Sequence, residues 1–366
     1  MSNDLIYQIG LTKIPLVGHI TARNLISYCG GARAVFENSK KTLLKIPGIG
    51  PTVAKHITRQ DVLKEAEQEI SFIEKHRIQA LFYLDEAYPS RLKQIYDAPI
   101  MLYFSGKGDL NKFRMVSIVG TRKPTLLGIT LCEELIEGLQ PYGVSIVSGL
   151  AYGIDIVAHR QALNHQMETI GVLGHGLDRI YPAPHRTTAR QMINRGGLLT
   201  EYSSQTEVDA RHFPMRNRII AALCDALVVI ETGRKGGSMI SAEMANGYNK
   251  DVFALPGHAK SQSSAGCNYL IKSHKAALIE SAEDLVKNMR WEEIDASKAI
   301  QPQLFTELEP EEKALCQLFN GNDEMAIDRL IAGLGKSSSE MASLLLQLEF
   351  KGVIRSLPGK RYVLAR

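Results

Sequence analysis

The residues best able to do chemistry are cationic and gather in three short stretches. Arg211 to Ile220, RHFPMRNRII, sets three arginines, a histidine, an asparagine and a phenylalanine ahead of the apolar run AALCDALVVI. Gly120-Thr121-Arg122-Lys123 and the stretch Thr232 to Ser238, TGRKGGS, add two basic pairs among glycines and hydroxyls. A guanidinium keeps its charge at physiological pH and offers a planar fork of donors that fits phosphate oxygens. Glycine lets a main-chain N–H come close to an anion. This chemistry holds a polyanion. Its candidate residues are Gly120, Thr121, Arg122, Lys123, Phe213, Arg216, Asn217, Arg218, Lys235, Gly236, Gly237 and Ser238. For any one arginine a structural ion pair is an equal alternative, such as Arg216 or Arg218 with Glu231 or Glu243.

Bond-making chemistry is harder to find. Gly120 to Gly128 does not carry G-x-G-x-x-G, and no G-x-x-x-x-G-K-[ST] occurs, so dinucleotide and P-loop fingerprints both fail. Neither G-x-S-x-G nor H-E-x-x-H is present. Asp155 and His159, one helical turn apart in GIDIVAHRQAL, have the spacing of an acid-base pair. The preferred reading has Asp155 complementing the positive end of its helix and His159 packing inward. Cys29, Cys132, Cys224, Cys267 and Cys316 never fall in C-x-x-C spacing, so neither a zinc site nor a disulfide frame is expected. No metal and no cofactor is inferred.

The basic loops need a frame to hold them. From about residue 80, β-rich runs recur: MVSIVG, VSIVSG, TIGVLG, GGLLTEY, ALVVIETG and DVFALPG, each followed by a glycine-bearing or polar turn and then a helical pattern. Apolar strands without alternation, separated by helices, predict an α/β fold with a doubly wound, mostly parallel sheet covered on both faces. Ligands of such sheets bind beyond the carboxyl ends of the strands. That rule adds Ser148 and Gly149 to the candidates and lets distant loops converge on one positive rim. Phe213, Tyr152, Tyr181 and Tyr202 lie near these loops, where rings can stack on unpaired bases. Each is also an ordinary core residue.

The two ends read differently from the middle. Ile14 to Arg23, IPLVGHITAR, and Ile46 to Lys55, IPGIGPTVAK, share I-P-x-h-G-x-x-x-A-basic, the mark of paired supersecondary units. The second copy resembles a helix-hairpin-helix motif, whose Gly48 and Gly50 turn would present N–H groups to a phosphate at a helix start. In the first copy Leu16 stands in place of Gly48, and the phosphate contact is expected to be lost. A small packing or partner-binding module is the alternative. After Trp291 a polar stretch with Pro302 reads as a linker. Three helical segments follow, near Glu311 to Phe319, Glu324 to Leu330 and Ser338 to Phe350, and then a hairpin turning at Pro358-Gly359. This pattern suggests a winged helix-turn-helix. Its presumptive recognition helix, SSSEMASLLLQLEF, lacks the Arg, Lys, Asn or Gln that base reading wants, apart from one Gln. Partner or self contact is therefore preferred there, with Arg355, Lys360 and Arg361 left to touch phosphate. The expected domains are 1–78, 79–290, a linker over 291–306, and 307–366.

At 366 residues the chain is too long for one ordinary domain. A net charge of +4 and a pI near 8.6 are only mildly basic, so any basic patch must be local. No apolar run reaches the roughly 18 residues of a membrane span, and an acid stands in MSNDLIYQIG where a signal peptide would place basic residues. A cytoplasmic protein without membrane insertion is expected.

The motifs VGTRKPTLLG, SGLAYGIDIVAHRQAL, TIGVLGHGLDRIYPAPHR, EYSSQTEVDARHFPMRNRIIAAL, VVIETGRKGGSMISAEMANGYNKDVFALPG and SAGCNYLI occur in that order. Together they closely resemble the DprA (Smf) family of DNA-processing proteins over roughly residues 80 to 285 and, in domain order, the whole chain. The resemblance implies an extended Rossmann-like core and a helical, SAM-like N-terminal domain. It implies a homodimer without enzymatic turnover that binds single-stranded DNA during natural transformation, protects it and helps load the RecA recombinase. By motif, Arg122 and Lys235 would hold the DNA backbone, Gly236-Gly237-Ser238 would donate main-chain N–H groups, and Phe213, Arg216, Asn217 and Arg218 would complete the pocket, with Asn268 of SAGCNYLI beside it. Two departures stand out: Thr121 where the family usually has serine, and Gly236 where Ser-Gly-Ser is common. Two other functions compete. GGSMISAE is similar to the loop of lysine-decarboxylase-like phosphoribohydrolases, with Glu243 in place of their glutamate, though Lys235 replaces the leading proline. A double-strand DNA regulator acting through the end domains is the third.

Overall fold

The computed structural model of the chain describes residues 4–292, 309–319, 325–351, 353–357 and 361–364. Most of the linker reading over 291–306, the start of the second C-terminal helix at Glu324, and the turn at Pro358-Gly359 with Lys360 lie outside these residues. The chain divides into two compact units, 1–294 and 295–366.

The first unit is built on a nine-stranded sheet. Its strands are β1 (Gln79–Phe82), β2 (Met101–Gly106), β3 (Met115–Val119), β4 (Ser145–Ser148), β5 (Thr169–Val172), β6 (Gly196–Thr200), β7 (Ala226–Val229), β8 (Asp251–Ala254) and β9 (Ala277–Leu278). Their order is β1-β2-β6-β5-β4-β3-β7-β8-β9. β1 and β2, and β2 and β6, pair antiparallel, whereas every pair from β6 across to β9 is parallel. All six predicted runs are strands, and β3 to β7 are buried along their whole length, as their unbroken apolar character requires. The chain winds outward from β3 through β4, β5 and β6, then returns to place β7 on the other side of β3. The boundary between β3 and β7 is thus the topological switch point, where such sheets open a crevice.

Helices seal both faces of this sheet. On one side α8 (Leu126–Leu139), α9 (Ile154–Asn164) and α14 (Ala282–Met289) bury Leu135, Ile136, Ala158 and Leu285 against Val116, Ile118, Ile146 and Val228. On the other, α11 (His212–Ala222), α12 (Gly237–Gly247) and α13 (Ala265–Lys272) bury Ile219, Ile220, Ala242, Ala245 and Leu270 against Met115, Val119, Leu227 and Val229. α10 (Arg186–Asn194) covers the β5 and β6 end through Ala189 and Met192.

Among the described residues six helices precede the sheet, α1 (Leu5–Lys13), α2 (His19–Cys29), α3 (Ala32–Glu37), α4 (Lys40–Leu43), α5 (Pro51–Arg59) and α6 (Val62–His76), and a short α7 (Ser90–Lys93) lies between β1 and β2. The core of the six is shared with Phe82, Ile100, Met101 and Tyr103 of the first sheet hairpin. The internal repeat is a structural repeat too. Gly48 and Leu16, at matching positions, both take positive φ, +82° and +67°, and Gly50 and Gly18 cap the helices that follow. Leu16 therefore adopts the left-handed backbone that glycine adopts without strain, with its side chain 77% exposed.

The second unit contains α15 (Pro310–Gln317), α16 (Ile327–Leu334) and α17 (Ser338–Phe350) with a three-stranded sheet in the order β10-β12-β11, formed by Met325–Ala326, Arg361–Leu364 and Ile354–Leu357. Capping boxes at Glu309/Glu312 and Ser337/Glu340 start the first and third helices. The second helix differs from the sequence reading. Met325–Ala326 is a short strand paired with β12, and the helix runs from Ile327 to Leu334.

Candidate functional site

Parallel strands β3 and β7 leave the sheet side by side, and their loops are stitched together. Ile230 N–H donates to the Val119 carbonyl at 3.1 Å and Thr121 N–H to the Glu231 carbonyl at 2.7 Å. The loop after β4 closes from the third side, Ile154 N–H donating to the Thr121 carbonyl at 3.1 Å. At the turn residue Gly153, φ is +82° and a Cβ would run into that same carbonyl, so glycine is required. Between these loops and the start of α11 lies a cavity of about 400 Å³. Gly120, Thr121 and Arg122 form one wall, Phe213, Arg216 and Asn217 a second, and Gly236, Gly237 and Ser238 a third.

Each wall contributes different chemistry. Arg122 is exposed, with its guanidinium 5.8 Å from the centre of the Phe213 ring. α12 begins at Gly237 with Gly236 as its N-cap, so the first-turn N–H groups and the positive end of the helix dipole lie at the cavity. Ser238 Oγ is buried and has no hydrogen-bond partner among the described residues, although its residue lines the cavity. A side chain at 236 would drive its Cβ into Thr232 Oγ1, and buried Thr232 is what makes glycine the fitting residue there.

Several candidates sit elsewhere. Lys123 and Lys235 are exposed in the two loops but do not line the cavity. Arg234 turns away, over the Tyr269 ring at 4.6 Å. Ser148 is fully buried and donates through Oγ to the Ile118 carbonyl at 2.6 Å, and Gly149 uses its carbonyl to accept from Arg216 at 2.7 Å. The Asn268 side-chain amide is spent on Gly257, donating through Nδ2 at 2.9 Å and accepting through Oδ1 at 3.1 Å. Gly48 and Gly50 form an exposed turn at the start of α5, with open space where either Cβ would lie.

The arginine-rich stretch is where sequence reasoning and geometry part. Arg211 is exposed and pairs with Asp209 at 2.5 Å. Arg216 is buried, donating through Nη1 to the carbonyls of Gly149 and Val172. Burial lowers its pKa to about 10, opposed by the nearby Asp155 carboxylate, so it remains a cation at neutral pH. Burial in turn raises the Asp155 pKa, with Arg216 opposing. Arg218 does not face the cavity. It is buried on Glu201, not on Glu231 or Glu243 as the sequence suggested, and Glu201 also accepts from His19 Nε2 at 2.6 Å. Burial alone would raise the Glu201 pKa, but the His19 hydrogen bond and the Arg218 charge outweigh it and hold the carboxyl below its usual range.

The histidine of the acid-base alternative is sealed from solvent. His159 is fully buried, and Thr169 Oγ1, which donates to the Ile146 carbonyl at 3.1 Å, accepts from its Nδ1 at 2.7 Å. Burial and the Arg216 charge push its pKa down to about 3, so it is a neutral core residue. Asp155 stands in the first turn of α9, where a helix favours an acid, and also lines the cavity. Thr232, Gly233 and Ser241 line it as well and were missed individually, although the strand-end rule named the loop that carries the first two. Glu243, the proposed phosphoribohydrolase glutamate, pairs with Lys275 at 2.6 Å outside this cavity.

Fold and cavity define a class: a doubly wound α/β core with a donor-lined crevice at its switch point, in a chain with helical and winged-helix ends. The family model for DNA recombination-mediator protein A matches residues 79–290, and that for the DprA winged helix domain matches residues 300–360. The chain belongs to the DprA/Smf family. It is 41% identical over 208 residues to the DNA processing protein DprA of Streptococcus pneumoniae, covering 57% of this chain and 73% of that one. Similarity to Protein Smf of Synechocystis, 29% identical, extends over 99% of both chains. The X-ray structure of the S. pneumoniae protein superposes with a TM-score of 0.68 at 32% identity, covering 80% of this chain and 99% of that one. DNA processing protein A from Helicobacter pylori, whose structure was described for its single-stranded DNA binding mode, gives 0.54 at 30% identity over 59% and 98% of the two chains.

Proposed function

We propose that the switch-point cavity holds the backbone of single-stranded DNA, and that the protein protects such strands and delivers them to a RecA-type recombinase during natural transformation. It acts in the cytoplasm as a homodimer, as a binder and not as an enzyme. The observation that carries this reading is the meeting of Arg122, the α12 N-terminus and the partnerless Ser238 hydroxyl around one crevice, with an aromatic ring at its lip. Phosphate oxygens are the acceptors such donors suit. Arg122 neutralises the backbone from the rim, and Lys123 and Lys235 add exposed charge on either side. Arg216, in the wall it shares with Phe213 and Asn217, supplies a fixed, buried cation. The single-strand binding described for the H. pylori relative supports the same ligand class.

Titration of a labelled oligo-dT and of duplex of equal length, at several salt concentrations, tests the reading. Wild type should prefer the single strand. Arg122→Ala should weaken binding about tenfold for all sequences and reduce the logarithmic salt slope by about 0.7, the share of one phosphate contact. Unchanged affinity in the Arg122→Ala/Lys235→Ala double variant would remove the cavity from the mechanism.

A further inference from the structure

Two exposed rings stand beside the crevice. Phe213, at its lip beneath Arg122, lies 6.0 Å from Tyr181 with the planes inclined by 31°. Tyr181 and Tyr152 are each 48% exposed. Tyr152 directly follows Ala151, which lines the crevice, and is braced edge-on against His185 at 5.0 Å. His185 is in turn fixed by an Nδ1 hydrogen bond of 2.8 Å with the Leu150 carbonyl. Tyr202, which the sequence grouped with these rings, is different: it is stacked on His212 at 4.3 Å with its hydroxyl buried. Two tyrosines are thus presented to solvent in the loops after β4 and β5, Tyr152 against buried His185 and Tyr181 against half-buried Phe213.

We infer that Tyr181, continuous with Phe213, and Tyr152, next to the Ala151 wall, form a base-stacking shelf on which the unpaired bases next to the crevice-bound phosphate are laid. This rests on the reading of the crevice as a single-strand backbone site. The physical case is that Phe213 is the one aromatic ring among the described residues that line the crevice, whose walls otherwise present glycines, donors and small aliphatic groups. The rings beside it offer flat, sequence-tolerant surface that a base can use only when it is not paired. The shelf would then supply the preference for single over double strands, while the cations supply charge attraction indifferent to pairing. Bases would run from Phe213 toward the β4 and β5 loops and not toward the β8 side, where Tyr269 already carries the Arg234 guanidinium.

The test compares oligo-dT with an abasic tetrahydrofuran oligomer of the same length, which keeps the phosphates and lacks the bases. Wild type should bind the abasic strand at least about tenfold more weakly. Tyr181→Ala and Tyr152→Ala should each weaken oligo-dT binding by about fivefold or more, leave abasic binding and the salt slope unchanged, and be rescued by Tyr→Phe. Equal wild-type affinity for the two oligomers overturns the shelf whatever the variants do. So does a loss in the tyrosine variants that is the same for both oligomers, since that marks a structural role. Arg122→Ala serves as the separate control: if it leaves both oligomers unaffected, the backbone reading itself falls, whereas an Arg122 effect without a base effect removes only the shelf.

Discussion

Arg122 stands exposed at the rim of the crevice with Phe213 beneath its guanidinium, whereas Arg218, on the helix that also carries Phe213, is sealed against Glu201 in the interior. Both belong to motifs shared with the same family, and both looked equally fit to hold a phosphate. What separates them is burial: Arg122 lies in the exposed loop after β3, and Arg218 on the part of α11 that packs into the interior. At the rim a guanidinium is hydrated and ready for an anion. In the interior it must be paired, because an uncompensated buried charge costs far more than the pair contributes. The second arginine therefore serves the fold. With His19 and Glu201 it ties the start of α2, and so the helical region, to the end of β6. Lys13 and Glu69 add ties to the same loop through Ser203 and Ser204, the latter bonded to Glu69 by its N–H and by its hydroxyl at 2.6 Å.

The comparison is broken most directly by cutting each arginine's surroundings. Glu201→Ala leaves Arg218 buried without its carboxylate and should destabilise the protein by about 3–5 kcal/mol. Arg122→Ala should change stability by no more than about 0.5 kcal/mol. Urea denaturation of the two variants should give well-separated midpoints. Coincident midpoints would mean that rim and interior are not distinct.

A second expectation concerns pH. His159 lies in the same interior with a pKa of about 3 against an ordinary value of 6.5. Below 6.5 the unfolded chain takes up a proton that the folded chain refuses. Its contribution is therefore fully present above pH 6.5 and is lost as pH falls toward 3, by about 1.4 kcal/mol per pH unit. Subtracting the stability profile of His159→Gln from that of wild type between pH 4 and 6 isolates this slope, and a flat difference would mean that His159 is not held neutral. Substitution at the rim, as in Arg122→Ala, should leave the wild-type slope in place.

The smallest effects sharpen the description of the amide-lined wall. Gly236→Ala pushes a Cβ into buried Thr232 and should displace the loop and weaken strand binding severalfold. Gly237→Ala has open space around it and keeps its N–H, so affinity and stability should both stay within about 0.5 kcal/mol of wild type. Equal losses at the two positions in filter-binding and melting measurements would show that glycine itself, and not the Thr232 contact, matters here.

Much of this protein is legible in its sequence, and the reasons are local. Six strands were readable because a doubly covered strand must be apolar at every position, and the crevice loops followed from the rule that ligands bind beyond the strand ends. The repeat at Ile14 and Ile46 was readable as paired units, whereas the shared left-handed turn at Leu16 and Gly48 was not. Less legible was the fate of side chains at strand ends. Ser148 and Asn268 have the polarity of ligand-binding residues, yet their hydrogen bonds are spent on Ile118 and Gly257. Nothing near Arg218 in the sequence identifies Glu201 as its partner, since the pairing depends on where β6 ends relative to α11.

By itself the sequence determined the class of sheet, the loops that form its ligand edge and the chemistry available there. Hydrophobic runs, glycine turns and side-chain charge are properties of residues and near neighbours. Only the tertiary structure decided which cations meet in the crevice, which are consumed by the interior, and which tyrosines remain open to a strand. Those outcomes depend on burial and on partners brought together by the crossing of α11, β6 and the loops after β3 and β7, and the cost of burying an unpaired charge makes them all-or-none.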